Sequence, residues 1–368
     1  MKKNLVYLVA AMATASMAIT SCGNDNEQVV NNAPAGPQQV GISAYLSGAT
    51  TGAEVRTRAA DDLQSTEFAD WNTVGIYVYK TGKTAPTTDY AGYQNISISD
   101  KTRNDDGEFT KWELATENGI YFPFDQSDVD VYLYSPKQAE PQFQDNSMKM
   151  AFTVKNDQFA DEDYLASDFV CGNATATMNV DETDAEAVEN RGKVDVELKH
   201  ALTKIIFKLD VADGVTLGNI SKIWMTNIQR SCYVNLNGGQ VILNSSSSKD
   251  NLTIAKFVAV NDEDYDYDSD AVKAANDQVY AALAAKAKAG LAVILPAQKM
   301  TVTTNQPQVK ITMAGKTATA DLKLGQLTAG KCYTVKLKVE ANQVTVSAVA
   351  ITDWSDGGTT ELNMSKFE

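Results

Sequence analysis

A single histidine, His200, stands among 368 residues. One imidazole gives little scope for a Ser-His-Asp triad and excludes a metal centre built from several histidines. Basic side chains are scarce: 32 Lys and Arg face 47 Asp and Glu, for a formal charge of -15. Nucleic-acid backbones need clustered cations, so no nucleic-acid partner is expected. No phosphate-cradling glycine loop or dinucleotide fingerprint occurs, and no cofactor is expected. Cysteines number four: Cys22, Cys171, Cys232 and Cys332. Past residue 21 no apolar run is long enough to span a bilayer. These absences argue against an enzyme. Paired carboxylates for glycoside hydrolysis stay open as a lower-ranked reading, because their separation decides the matter.

What is present begins with an export signal. Lys2 and Lys3 precede an uncharged apolar run from Leu5 to Ile19, which ends in Ile19-Thr20-Ser21-Cys22. Charge, length and ending read as a lipoprotein signal peptide over 1–21 with Cys22 as the lipidated residue. More than one acyl chain on that residue gives durable anchoring to the outer membrane. Residues 22–39 hold Asn, Gln, Pro and Gly and read as a tether.

Alternating and β-branched runs recur along the body. Val40–Leu46, Val74–Tyr79, Val129–Tyr134 and Val194–Leu198 are examples, with Thr203–Val211, Ile220–Ile228 and Cys332–Val339 further on. Asn237-Gly238-Gly239 between two of the runs signals a hairpin. Asp270–Ala289 is alanine-rich, with apolar residues at helical spacing, and predicts one helix inserted in the second half. The acidic stretch 181–192 has few large apolar groups and suggests a boundary. The expectation is all-β, with two β-sandwich domains at 40–185 and 186–368.

Several short motifs then fall in order. They are Arg56-Thr57-Arg58-Ala59, Ser167-Asp168-Phe169-Val170, the run from Val196 to Ile205, Ile294-Leu295-Pro296-Ala297-Gln298, Leu327 to Thr334, and Val349 to Trp354. Each is weak alone. Their order and spacing, with Cys22, make the chain resemble the fimbrillin family, the lipoprotein-derived pilus subunits and surface adhesins of Bacteroidales. That resemblance implies tandem transthyretin-like domains. It also implies a fimbrium subunit at the cell outer membrane, cut after an arginine and joined to other fimbrial subunits by donor-strand exchange. A host receptor or glycan is a further partner it allows.

Carried to this sequence, the resemblance makes residues 40–58 a removable first strand. Val40, Ile42, Ala44 and Leu46 share one strand face. Arg58 is favoured over Arg56 for cleavage, because small Ala59 and Ala60 follow it; a surface loop that merely contains two arginines is the alternative. The donor strand falls in Thr359–Glu368, with Leu362, Met364 and Phe367 as its apolar residues; a simple final strand or tail explains the same residues equally well. Buried thiols are expected for Cys171, Cys232 and Cys332, with a Cys232–Cys332 bridge as the alternative. The acidic run Asn261–Asp270 reads as a solvated loop, since the glycine of a calcium-binding loop is missing. His200 reads as a hydrogen-bonded structural residue. Trp71, Trp112, Trp224 and Trp354 read as core anchors, although such rings also stack on sugars. A surface carbohydrate-binding lipoprotein that never polymerises is the second functional expectation.

Overall fold

The computed structural model describes residues 37–46, 74–82, 92–106, 109–144, 147–213, 220–256, 290–313, 315–341 and 343–354. These hold nineteen strands and two five-residue helices. The chain is mostly β, as its alternating sequence requires.

Eight strands form one sheet in the order β3-β2-β6-β8-β9-β1-β5-β4. They are β1 (Gly41–Leu46), β2 (Gly75–Lys80), β3 (Tyr93–Ser97), β4 (Asp100–Asp106), β5 (Phe109–Ala115), β6 (Val129–Ser135), β8 (Val170–Ala176) and β9 (Lys193–His200). The sheet turns a corner where β8 meets β9, through only Val170–His200 and Cys171–Lys199. Gly172 makes this corner possible: a Cβ there would lie 1.9 Å from the Glu197 carbonyl oxygen. Past the corner the two arms face each other. Ile42, Ala44, Leu46, Val194, Val196 and Leu198 from one arm share an apolar cluster with Ile76, Val78, Val131 and Leu133 from the other.

The outer face of β2 and β6 is also covered. Tyr77, Tyr79, Tyr132 and Tyr134 pack with Phe143, Phe152 and Phe169. Their cover includes a three-stranded sheet of β13 (Val241–Leu243), β12 (Ser231–Asn235) and β7 (Lys149–Thr153). The hairpin expected at Asn237-Gly238-Gly239 joins β12 to β13, with both glycines at positive φ. The remaining strands form two facing four-stranded sheets. One is β15 (Leu291–Leu295), β10 (Thr203–Val211), β18 (Lys331–Glu340) and β19 (Gln343–Asp353). The other is β14 (Asp250–Lys256), β11 (Ile220–Ile228), β16 (Gln308–Met313) and β17 (Lys316–Asp321). Their inner faces meet through Ile205, Phe207, Val335 and Leu337 on one side and Ile223, Met225, Val309 and Ile311 on the other.

β9 lies beyond residue 185 yet pairs with strands that precede it, and β7 pairs with the later strand β12. The two halves are therefore interlaced by a strand from each. The helix expected over 270–289 lies outside the described residues. The helices that are described, α1 (Asp161–Leu165) and α2 (Ala185–Glu189), are single turns. The Asp184 side chain caps α2 by accepting from the N–H groups of Glu186 and Ala187.

Candidate functional site

The first strand occupies the middle of its sheet. β1 pairs antiparallel with β5, through Ile42–Leu114 and Ala44–Trp112, and parallel with β9 from Gly41–Lys193 to Leu46–Leu198. Its inward residues are sealed: Val40, Ile42, Ala44 and Leu46 are 3%, 4%, 0% and 4% exposed. Burial of each large apolar side chain stabilises by about 1.5–3 kcal/mol. The entry is bracketed too. Val40 N donates to Ile120 O at 2.7 Å, Gly41 N to Gly192 O at 2.8 Å, and Phe122 N to Gln38 O at 2.9 Å. Two ion pairs line the outer face of this slot, Lys111–Asp195 at 2.6 Å and Lys199–Glu197 at 2.7 Å. Burial, then the charges of Glu197 and Asp195, raise the Tyr45 phenol above its ordinary pKa.

A second constellation joins most of the short sequence motifs. Nδ1 of His200 lies 2.8 Å from Asp168 Oδ1. A carboxylate only accepts, so this contact places the imidazole proton on Nδ1. The His200 ring stacks on Trp354 at 4.0 Å and 5°, and the Lys204 ammonium sits 5.5 Å from the same indole. Trp354 N donates to Gly330 O at 2.9 Å, and Gly330 N donates to Leu202 O at 2.7 Å. Thr203 Oγ1 donates to Thr328 O at 2.8 Å. Gln298 receives Gln229 N at 2.9 Å, and its own carbonyl receives Leu327 N at 2.9 Å. Gln158 brackets Ile294, donating to its carbonyl at 2.9 Å and accepting its N–H at 2.8 Å. These contacts are architectural. They fasten the end of β9, the start of β10 and the end of β19 at one point, so His200 has the structural role expected of it. The motifs lie far apart in sequence, so their convergence leaves no local mark; Asp168, His200 and Trp354 are the residues that signal it.

Cys22, Arg56, Arg58, Leu362, Met364 and Phe367 lie outside the described residues, as do Trp71 and the acidic run 261–270. Cys171 and Cys232 are buried free thiols and Cys332 is buried, so the Cys232–Cys332 bridge is not formed. Burial pushes the Cys171 and Cys232 thiols up to about 12. Trp354 is a core anchor, 2% exposed. Trp112 and Trp224 are half-buried, each with a lysine ammonium 5.0 Å from its ring, Lys101 and Lys222 respectively. Among the described residues no group of three or more His, Cys, Asp and Glu is placed to hold a metal, and no helix is long and apolar enough to cross a membrane.

Comparison with known proteins places this architecture. A cell adhesion candidate from Bacteroides ovatus superposes with a TM-score of 0.52 at 19% identity, over 87% of this chain and 98% of that one. Another from Bacteroides uniformis gives 0.51 at 17%, over 86% and 98%. Identities this low show a shared fold. A comparison with curated proteins returned no match. A family model described as Fimbrillin-like matches residues 57–354, most of the chain, and the protein belongs to that family.

Proposed function

We propose that this protein is a structural or adhesive, non-enzymatic subunit of a cell-surface fimbrium of Bacteroidales. It is exported as a precursor lipidated at Cys22, held first at the outer membrane, and cut after Arg58 or Arg56. The cut frees β1, and a neighbouring subunit supplies the replacement strand, with Leu362, Met364 and Phe367 in the donor segment. We also read the two halves as tandem transthyretin-like domains, the first completed by β9, which lies beyond residue 185. Family membership and the cell adhesion descriptions of the two similar structures support this reading.

One observation carries it: the most N-terminal described strand sits between two others, not at an edge. Its only chain link to the rest of the body runs through residues 47–73, which include Arg56 and Arg58. Cleavage there leaves β1 held by non-covalent contacts alone. Its loss would bare the facing edges of β5 and β9, and each buried group left unpaired costs about 1–3 kcal/mol. Such a slot favours a strand from another chain. Head-to-tail contacts of this kind do not close, so they extend a filament.

The test is to treat the purified precursor with an arginine-specific protease. The expected result is a new N-terminus at Ala59 or Thr57, loss of the β1 peptide and a ladder of oligomers. Retention of β1 by the cut protein, with no ladder, would overturn the reading.

A further inference from the structure

The slot around β1 is uneven, and its shape selects how a strand can enter. Three of the four inward positions hold large side chains, Val40, Ile42 and Leu46. The third, Ala44, is wholly buried between Trp112 on β5 and Val196 on β9. A replacement strand must therefore present a small residue there, because extra bulk in a packed site forces side chains and backbone apart. It must also bury no charge at the other three positions.

The tail of this chain offers few solutions. Were residues 356–366 to enter as an extended strand, its odd-numbered face would carry Glu361 and Asn363, which cannot fill an apolar slot. The even-numbered face holds Asp356, Gly358, Thr360, Leu362, Met364 and Lys366. Running in the direction of β1, this face puts Leu362 or Met364 against the Ala44 site, or else buries Asp356. Running the other way, one register avoids both faults. It sets Met364 at the place of Val40, Leu362 at Ile42, Thr360 at Ala44 and Gly358 at Leu46. Glu361 then faces Glu113 and Asp195 on the outer surface. That repulsion is exposed and partly answered by Lys111, so it weighs less than an overfilled core.

We propose that the segment Gly358–Met364 of a second copy enters the slot antiparallel to β9, in this register. The inference rests on the strand-release reading above. It makes the donor strand opposite in direction to the strand it replaces, and it makes the Ala44 site the position that sets the register.

Lys193 gives a direct readout. It is the register partner of Gly41, and a Cβ at Gly41 would lie 3.4 Å from Lys193 Cγ. In the proposed register Asn363 takes that place; in the two same-direction registers that bury no acid, Glu361 or Thr359 does. Full-length precursors carrying Lys193→Cys with Asn363→Cys, Glu361→Cys or Thr359→Cys would be cut with the arginine-specific protease and oxidised mildly. The Asn363→Cys pair should link subunits along the ladder, and the other pairs should link about tenfold less. A second set reads packing without cysteines: Thr360→Leu should lower ladder formation about tenfold, while Gly358→Leu, which refills the Leu46 site, should leave it intact or raise it. Linking through Glu361→Cys or Thr359→Cys, or a ladder in which none of the three pairs links, overturns the proposed direction while leaving strand release standing. Absence of any ladder from the cut wild-type protein overturns strand release itself.

Discussion

The eight-stranded sheet and the sheet β15-β10-β18-β19 each contain an early strand in the same local setting. β1 lies between an antiparallel neighbour, β5, and a parallel one, β9. β10 lies between an antiparallel neighbour, β15, and a parallel one, β18. Both strands bury an apolar face, through Ile42, Ala44 and Leu46 in one case and Ile205 and Phe207 in the other. They differ in tethering. β10 follows β9 after two residues, Ala201 and Leu202, whose backbones are bonded to Phe169 and Gly330. β1 joins the body through residues 47–73 and their two arginines. The same slot is thus permanent in one sheet and, on the reading proposed here, exchangeable in the other; on that reading connection, not pairing, decides which strand can leave.

The largest effect is expected where the parallel flank of β1 is held. Gly172→Ala would drive a Cβ into the Glu197 carbonyl oxygen at 1.9 Å, backbone that cannot swing aside. A loss of about 4 kcal/mol is expected in denaturant unfolding of the uncut chain. An unchanged midpoint would mean that β8 and β9 do not hold the corner as described.

A matched pair of substitutions separates the two slots. Ile42→Ala and Ile205→Ala should each cost about 2–5 kcal/mol in the uncut chain. After arginine-specific cleavage and removal of β1, the Ile42→Ala body should match the cut wild type, while the Ile205→Ala body stays destabilised. Equal persistence of both losses would show that β1 never leaves, and the contrast between the slots would fail.

His200→Ala should have a smaller effect, about 1–2 kcal/mol, from the lost Asp168 contact and indole stack. Faster amide exchange should appear at the end of β19 and the start of β10, with β1 unaffected. Exchange that quickens in β1 would tie the two regions together and weaken the comparison.

Much of the architecture was legible from alternation. Thr203–Val211 and Ile220–Ile228 are strands with the bounds the sequence pattern suggests. Those strands bury a face, so burial wrote the pattern. β4 is the counter-example. Asp100–Asp106 reads DKTRNDD, with no apolar face, because it is the outermost strand and draws its order from pairing with β5. Ile120–Phe122 has the reverse fault: its apolar residues are buried, but they bracket the entry of β1 through single bonds and form no strand. Short helices at Asp161–Leu165 and Ala185–Glu189 are too brief to show a helical period. Of the candidate site, the inward face of β1 was legible as alternation. Its central place was not, because the pairing of residue 42 with residues 114 and 194 is long-range and leaves no local mark.

Alkaline pH should sharpen the comparison with the least effect near neutrality. The cluster around β1 holds no ionisable side chain among its buried members, whereas the neighbouring cluster holds Tyr77, Tyr79, Tyr134, Cys171 and Cys232. Burial raises the Tyr79 and Tyr134 phenols from 10.0 to about 12, and Tyr77 further. The folded protein thus holds these protons more tightly than the unfolded chain does. Their contribution is complete below pH 10, the unfolded value, and is lost as pH rises through about 12. The two thiols, raised from 9.0 to about 12, begin to lose theirs one unit earlier. Alkaline unfolding should therefore start in the tyrosine-lined layer, with tyrosinate absorbance rising together with loss of structure while the amides of β1 stay protected longest. Tyr79→Phe is the refined version. The Tyr79 hydroxyl is buried without a hydrogen-bond partner, so its removal should be neutral or stabilising at pH 7 and should delay the alkaline transition. If β1 loses protection first, the slot is weaker than its sealed side chains imply, and release would need no cleavage.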